Sequence, residues 1–204
     1  MRAKVLMGMM LMASANVFAA DYKFVPPSLD YKTIPAGAYD IDPHHSSVTF
    51  RITHMGLSTF TGRFNNVSGN LVFNPQEPTV VNMQARVATA NVDTGNPELD
   101  STLKGTAFFD AEHFPTIKFV AKSFELIGPD TGKLLADVTL HGITRSVPFD
   151  VVFRGHGKNY EGAETLGFSA RGTLKRSAFN MTGFLPAVGD DVELWLESEF
   201  NKKS

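Results

Sequence analysis

Cysteine is absent from the 204-residue chain. Its absence excludes disulfide bonds, thiolate metal sites, covalent haem attachment and cysteine nucleophiles. A basic excess is also lacking, because 19 Lys and Arg residues are balanced by 21 Asp and Glu residues. A nucleic-acid partner is therefore not expected, since neutralising several phosphates requires a concentrated basic face.

The composition itself is that of a folded protein. Hydrophobic residues make up 43% of the chain and charged residues 20%, which is typical of a globular domain with a core and not of a disordered segment. The length fits one domain better than two packed domains.

The first 19 residues have the organisation of a secretory signal peptide. Arg2 and Lys4 precede a Met-rich apolar run over 5–12, and small residues end the segment at Ala19. Neither this run nor any later one is long enough to span a bilayer, and a buried first helix is the alternative interpretation of it. We expect cleavage before Ala20, which leaves an exported chain with 17 basic and 21 acidic residues and a formal charge of −4.

Residues 20–38 are predicted to form an extended arm outside the core. Pro26, Pro27, Pro35 and Gly37 interrupt this segment, and it shows little hydrophobic periodicity.

From residue 39 onwards, apolar side chains recur with a period of two, which predicts strands with one apolar face. Val48, Phe50 and Ile52 share one face in the first such segment. The alternation recurs over 81–87, 117–119, 138–140, 145–153, 166–176 and 192–196, with turn sequences between the segments. This pattern predicts an eight-stranded antiparallel barrel, which encloses either a packed core or one elongated ligand.

One segment is predicted to be a short helix. Asn96 can cap it, Pro97 suits its first turn, Leu99 and Leu103 share a face, and Gly105 ends it.

Two polar residues continue apolar faces. His54 follows the inward series that ends at Ile52, so its parity points it into the barrel, and the alternative is a hydrogen-bonded or hydrated histidine at a strand end. Arg176 follows Leu174 on an apolar face, where a guanidinium is costly unless a carboxylate, a phosphate or an aromatic plane receives it.

Two further charged residues are less decisive. Arg145 begins an apolar face, but the end of a hairpin places such a side chain in solvent equally well. Asp100 lies in the predicted helix and either pairs with one of the arginines or faces water.

No metal site or catalytic residue is predicted. His44 and His45 are adjacent on a strand and point to opposite faces, and no third ligand follows His54 at a recognisable interval. The chain has no Gly-x-Ser-x-Gly nucleophile elbow, and Gly155 and Gly157 are not followed by a helix that would bind a nucleotide. Phe108, Phe109 and Phe114 lie in irregular chain, where they either line the mouth of the barrel or plug it.

Several sequence blocks occur in a fixed order between residues 39 and 200. They are 39–43 with His45 and Ser46, 92–96 with Asp100, 108–110 with Phe114 and Pro115, 137–145, 175–177 with Phe179, and 188–190. Taken together, these blocks resemble the YceI-like family of polyisoprenoid-binding proteins. The chain departs from the family at Ala178, where relatives commonly have an acidic residue, and at Asn180, where they often have glycine. Asparagine tolerates the left-handed conformation that glycine would adopt.

The resemblance implies a lipocalin-like barrel whose elongated apolar cavity holds a long isoprenoid or another lipid, usually in a periplasmic or secreted protein. It implies no catalysis and no cofactor other than the bound lipid or quinone. The cavity wall would then comprise inward apolar residues: Phe50, Ile52, Phe108, Phe119, Val147, Phe149, Phe168 and Leu174.

The lipid head group would lie at the mouth of the barrel, near His54, Arg176, Arg145 and Asp100. An arginine would favour a diphosphate through bidentate hydrogen bonds, whereas His54 could donate a hydrogen bond to a quinone carbonyl. The sequence leaves both open.

Three functions follow as hypotheses. The first is a periplasmic carrier of polyprenyl phosphate or isoprenoid quinone. The second is an enzyme that acts on a bound lipid with His54 as general acid or base. The third is an envelope or stress protein with a packed barrel and a protein partner. A homodimer and a transient contact with the inner membrane are compatible with the sequence, which fixes neither.

Overall fold

The computed structural model describes residues 24–203. The predicted signal peptide and the first four residues of the predicted arm lie outside the described part of the chain.

Antiparallel strands make up most of the described chain. They are β1 (Gly37–Ile41), β2 (Ser47–His54), β3 (Ser58–Phe64), β4 (Ser68–Phe73), β5 (Asn82–Ala88), β6 (Val92–Asp93), β7 (Thr116–Leu126), β8 (Thr131–Leu140), β9 (Ile143–Lys158), β10 (Glu164–Lys175) and β11 (Val188–Lys202). Short 3-10 helices lie at Tyr31–Thr33, Thr89–Asn91 and Arg176–Phe179.

These strands form the eight strands of one closed barrel, because three of the barrel strands are interrupted. β1 and β2 pair in succession with the same edge of β11, through Ile41 opposite Phe200 and Ser47 opposite Glu197. β3 and β4 form the next barrel strand, and β5 and β6 the one after it. The predicted eight-stranded antiparallel barrel is confirmed.

The predicted helix is also confirmed, as α1 (Pro97–Lys104). The Asn96 side chain accepts hydrogen bonds from the backbone N–H groups of Glu98 and Leu99, at 3.0 and 3.4 Å. Asp100 Oδ1 accepts from the backbone N–H and the hydroxyl of Thr94, at 2.8 and 2.7 Å. These contacts fix α1 beside the end of β6, where it covers one end of the barrel.

The arm closes the opposite end of the barrel, and the prediction that it lies outside the core is wrong at Ile34. This side chain is 3% exposed and belongs to the buried core. Ser28 exchanges two backbone hydrogen bonds of 2.9 Å with His156, and the Thr33 hydroxyl lies 2.9 Å from the Nε2 of the same histidine. The imidazole Nδ1 lies 2.7 Å from Glu164 Oε1, so the arm is tied to the barrel wall.

Across residues 24–203, no helix has both the length and the apolar character needed to cross a membrane.

Candidate functional site

An internal cavity lies inside the barrel at the end covered by α1. Its volume is about 530 Å³, which is within the usual range for small-molecule sites. Twenty of the twenty-four lining residues are apolar, and the four polar ones are His54, Ser58, Thr102 and Arg176. We call this space the outer chamber.

The period-two alternation of the strands builds the wall of the outer chamber. Phe50 and Ile52 of β2 lie beside Leu194 and Val192 of the neighbouring strand β11, and all four line the cavity. Gly62 of β3 lies opposite Phe50, and its missing side chain leaves the space that the phenyl ring fills. The wall is therefore apolar because every second residue of these strands is apolar.

A second space, the inner chamber, continues toward the closed end of the barrel. Its volume is about 150 Å³, and none of its lining residues is exposed. Val48 and Phe119 line both chambers and form the boundary between them. The phenyl rings of Phe119 and Phe149 meet there, with their centroids 6.4 Å apart. The two chambers together make an elongated apolar path along the barrel.

The outer chamber opens to solvent at the α1 end. His54, Ser58, Thr102 and Phe184 all line it and are all exposed. Phe108 and Phe184 stack at this opening, with their ring centroids 5.9 Å apart and their planes at 15°.

Arg176 is 3% exposed and borders the outer chamber. Its guanidinium donates hydrogen bonds to three backbone carbonyls: Nε to Gly189 at 2.7 Å, Nη1 to Met181 at 2.8 Å and Nη2 to Val188 at 2.9 Å. Burial lowers the pKa of this group, and the nearby carboxylate of Asp190 opposes that shift. Three of the five guanidinium N–H groups thus hold the loop that borders the opening.

A family model, the YceI-like domain, matches residues 39–200. The chain belongs to the YceI-like domain family. Among similar proteins, a UPF0312 protein of Pseudomonas fluorescens is 31% identical over 202 residues, which are 97% of this chain and 94% of that protein. A UPF0312 protein of Yersinia pestis is 29% identical over 193 residues, which are 95% and 92% of the two chains.

Solved structures share the fold of this YceI-like chain. A Campylobacter jejuni YceI protein matches with a TM-score of 0.65 and 30% identity, over 74% of this chain and 90% of that one. BcnA of Burkholderia cenocepacia gives a TM-score of 0.69 at 24% identity, over 78% and 98%. A polyisoprenoid binding domain from Saccharophagus degradans gives 0.63 at 11% identity, over 83% and 100%. At these two lower identities, the likeness shows the fold alone.

The YceI-like barrel brings two of the four predicted head-group residues to the cavity. His54 lies at the opening and Arg176 lies deeper, where carbonyls receive its guanidinium in place of the carboxylate, phosphate or aromatic plane named by the sequence argument. Arg145 is exposed, does not line either chamber, and donates from Nη1 to the Thr144 carbonyl at 2.9 Å. Asp100 likewise lines neither chamber and holds Thr94.

Seven of the eight predicted wall residues line a chamber. The outer chamber is lined by Phe50, Ile52, Phe108, Phe119 and Leu174, and the inner chamber by Phe119, Phe149 and Phe168. Val147 is 4% exposed but lines neither, so it is a residue of the packed core.

The phenylalanines in irregular chain divide between two places. Phe109 lines the outer chamber with Phe108 and meets Phe64 edge to face, with ring centroids 5.2 Å apart. Phe114 instead packs against the His141 ring at 4.7 Å, outside both chambers.

The two departures from the family pattern lie beside the loop held by Arg176. Asn180 has φ 60° and ψ 17°, which is the left-handed conformation that the sequence argument assigned to it. Ala178 is exposed and lines neither chamber.

Met181, Phe184 and Val188 also line the outer chamber, and strand periodicity did not predict them as wall residues. The loop that carries them has no strand alternation. The only signal in the sequence is the absence of Asp, Glu, Lys and Arg from residues 177–189.

The histidines assemble differently from the grouping considered in the sequence. His45 joins Asp42 and Glu199 on the outside of the barrel, with Nδ1 at 2.9 Å from Asp42 Oδ2 and 4.0 Å from Glu199 Oε2. His54 lies apart from them at the cavity opening. Partial burial raises the pKa of Asp42, but hydrogen bonds from His45, from the His44 backbone and from Asn201 outweigh it and leave that pKa lowered.

Proposed function

We propose that the chain binds a long-chain isoprenoid lipid in the two chambers of its barrel and carries or sequesters that lipid after export to the periplasm. The observation that carries this proposal is the elongated apolar path, whose outer chamber opens to solvent beside exposed polar side chains at the α1 end. A long apolar tail fits such a path, and a polar head group fits its opening.

The apolar wall supplies enough binding energy without polar contacts. Burying each methylene contributes about 0.8 kcal/mol, so a ten-carbon stretch contributes about 8 kcal/mol. Association and ordering costs are subtracted from this sum. Micromolar affinity, which corresponds to about 8 kcal/mol net, is reached when both chambers are occupied by a longer tail.

Two further observations support the proposal. A protein with this fold is described as a polyisoprenoid binding domain, and membership of the YceI-like family links the chain to that fold. The organisation of residues 1–19 as a secretory signal peptide supports export, which places the protein where lipids must cross an aqueous compartment.

The head group is assigned to the opening, beside His54. Arg176 has three of its N–H groups committed to backbone carbonyls, whereas the His54 ring is exposed at the entrance. A quinone carbonyl or a phosphate oxygen can accept a hydrogen bond from His54 there. The Arg176 guanidinium also places a positive charge deeper in the wall. This charge favours a phosphate head group over a quinone.

Binding without catalysis is the proposed activity. The outer chamber has no Asp or Glu among its described lining residues, so His54 has no carboxylate partner there for general acid–base chemistry.

The test is uptake of geranylgeraniol, measured by native mass spectrometry on the exported chain after a hydrophobic resin has removed any co-purified lipid. Intrinsic fluorescence is a poor probe, because the single Trp195 lies on the outer face between Arg51 and Arg171. We expect one geranylgeraniol per chain.

Neighbouring residues of β2 provide a matched pair of variants. Ile52→Gln places an amide on the outer-chamber wall, whereas Thr53→Gln alters the exposed outer face. Ile52→Gln should weaken binding by at least about tenfold, because burial of one aliphatic side chain contributes about 1.5–3 kcal/mol. Thr53→Gln should bind as the unaltered chain does. Equal binding by both folded variants, or no uptake by the unaltered chain, would overturn the proposal.

A further inference from the structure

Three segments border the opening of the outer chamber next to α1, and we call these three segments the rim. They are residues 54–60 at the β2–β3 turn, 105–109 after α1, and 180–189, which run into the first two residues of β11. None of the three contains Asp, Glu, Lys or Arg, although charged residues make up 20% of the chain.

The rim segments touch one another and form a continuous surface. The Met55 backbone N–H donates to the Ala187 carbonyl at 2.6 Å, which joins the first segment to the third. The third segment meets the second where Phe184 stacks on Phe108 and Gly183 lies close to Ala107.

Large apolar side chains project from this surface into solvent. Leu57 is 85% exposed, Phe184 is 67% exposed and Met55 is 61% exposed. A contiguous apolar patch without charge usually marks an interaction surface, because exposing it to water is unfavourable.

The position of the patch indicates a bilayer as the partner. Phe184 belongs both to the rim and to the cavity wall, so the exposed apolar surface continues into the outer chamber. A second copy of the chain or another protein seated on the rim would close the opening through which a ligand enters. A bilayer seated there places the opening against the phase in which a long apolar tail dissolves. A rim without charge also needs no anionic lipid, since insertion of apolar side chains drives the attachment.

We propose that the rim inserts into the boundary between the head groups and acyl chains of a bilayer, so that a lipid tail passes between membrane and cavity without crossing water. This inference rests on the proposed function and names the surface from which the ligand is taken or to which it is delivered.

The test is flotation of the exported chain with vesicles of phosphatidylcholine, at low and at high salt. We expect the chain to float, with little dependence on salt. Leu57→Asp should reduce the bound fraction by at least about tenfold, because it removes one inserted aliphatic side chain and adds a charge. Met55→Asp should act in the same direction.

Ile127→Asp is the matched control. Ile127 is 57% exposed and follows β7 at the opposite end of the barrel, so its replacement should leave flotation unchanged. Failure of the unaltered chain to float, equal loss with Ile127→Asp, or retention with Leu57→Asp would overturn the inference. A dimer in analytical ultracentrifugation that Leu57→Asp dissociates, without vesicle binding, would overturn it in favour of a second copy.

Uptake of geranylgeraniol separates this inference from the proposed function. Met55 and Leu57 do not line either chamber, so both variants should still take up geranylgeraniol from solution. A chain that floats through its rim but takes up no geranylgeraniol supports insertion of the rim into a bilayer and contradicts the carrier function. A chain that takes up geranylgeraniol but does not float supports the carrier function and contradicts insertion of the rim into a bilayer.

Discussion

Arg176 shows how one residue can join a cavity wall to a loop. A buried guanidinium is costly to desolvate, and here three backbone carbonyls compensate that cost without a direct ion pair. The same hydrogen bonds hold residues 181–189 at the cavity opening. Arg176 therefore stabilises the loop at the opening and also supplies a positive charge there.

Arg176→Met should destabilise the protein by at least about 3 kcal/mol, because it leaves carbonyls at partly buried positions without their charged donor. Arg145→Met, at an exposed arginine, should change the free energy of unfolding by less than about 0.5 kcal/mol. Urea unfolding measures both. Similar values for the two variants would show that the carbonyl contacts do not stabilise the loop.

The His45–Asp42 pair predicts a pH dependence outside the cavity. The hydrogen bond to Asp42 raises the pKa of His45 above the ordinary 6.5, against a smaller effect of burial. The stabilisation from His45 is therefore complete below about pH 6.5, the unfolded value, and is lost as the pH rises through the folded pKa. Asp42 has a lowered pKa in the folded protein, so its contribution to stability is lost at acid pH, as the pH falls through that folded pKa.

An NMR titration of the histidine ring protons checks this prediction. His45 should titrate above pH 6.5, and Asp42→Asn should bring its pKa back toward that value. His113 is the internal control, because its own hydrogen bond to Asp110 raises its pKa and Asp42→Asn leaves that contact intact. A His45 pKa that does not respond to Asp42→Asn would contradict the assignment.

Residue positions on regular strands could be predicted from the sequence, and those beyond strand ends could not. Strand parity placed Phe50, Ile52 and His54 on the cavity side, as the structure has them. Parity also placed Arg176 on the cavity side, but it gives no information on the partners of the guanidinium, because β10 ends at Lys175 and the chain turns into a 3-10 helix. Its partners lie 5–13 positions further along the chain, and no local pattern identifies them.

At the scale of elements, the interruptions of the barrel strands shape the site. Between β1 and β2, residues 42–46 lie opposite only residues 198 and 199 of β11, so the chain bulges outward. Between β5 and β6, the 3-10 helix Thr89–Asn91 redirects the strand. The redirected strand continues as β6, which leads into the segment that carries α1 over the end of the barrel. Periodicity detects such strands but not their interruptions, since each half keeps the same alternation.

The Asn96 cap positions α1 and with it the Leu99 and Leu103 side chains in the outer chamber. Asn96→Ala should lower the free energy of unfolding by about 1 kcal/mol and weaken binding of geranylgeraniol, because the first turn of α1 loses its side-chain acceptor. Urea unfolding and native mass spectrometry measure the two effects. Asn82→Ala, on the exposed face of β5, should change neither. An unchanged affinity in Asn96→Ala would show that α1 does not shape the cavity.

At the scale of the whole molecule, the barrel has two ends with different roles. The arm and Ile34 close one end, whereas α1 and the rim leave the other open. The inner chamber is the narrower part of the path, with about 150 Å³ against about 530 Å³, so its size limits how much of a tail it accepts. The closed barrel was predictable from the strand pattern, but the closure of one end by the arm was not, because a single Ile among prolines gives no periodic signal.

Filling the inner chamber should shift the preference toward shorter tails. Ala170 lines this chamber. Ala170→Leu should weaken the binding of geranylgeraniol, relative to that of the shorter farnesol, by about fourfold for each methylene that the larger side chain excludes. Competition between the two alcohols in native mass spectrometry measures the ratio. Thr173→Leu, exposed on the same strand, should leave the ratio unchanged. A ratio unaffected by Ala170→Leu would show that the tail does not reach the inner chamber.

The most direct test of the central claim is native mass spectrometry of the protein expressed from its full sequence and purified without detergent, followed by organic extraction. We predict one bound molecule per chain with a long isoprenoid tail, and a lower bound fraction in Ile52→Gln. A chain that carries no lipid when purified and takes up no geranylgeraniol would contradict the account.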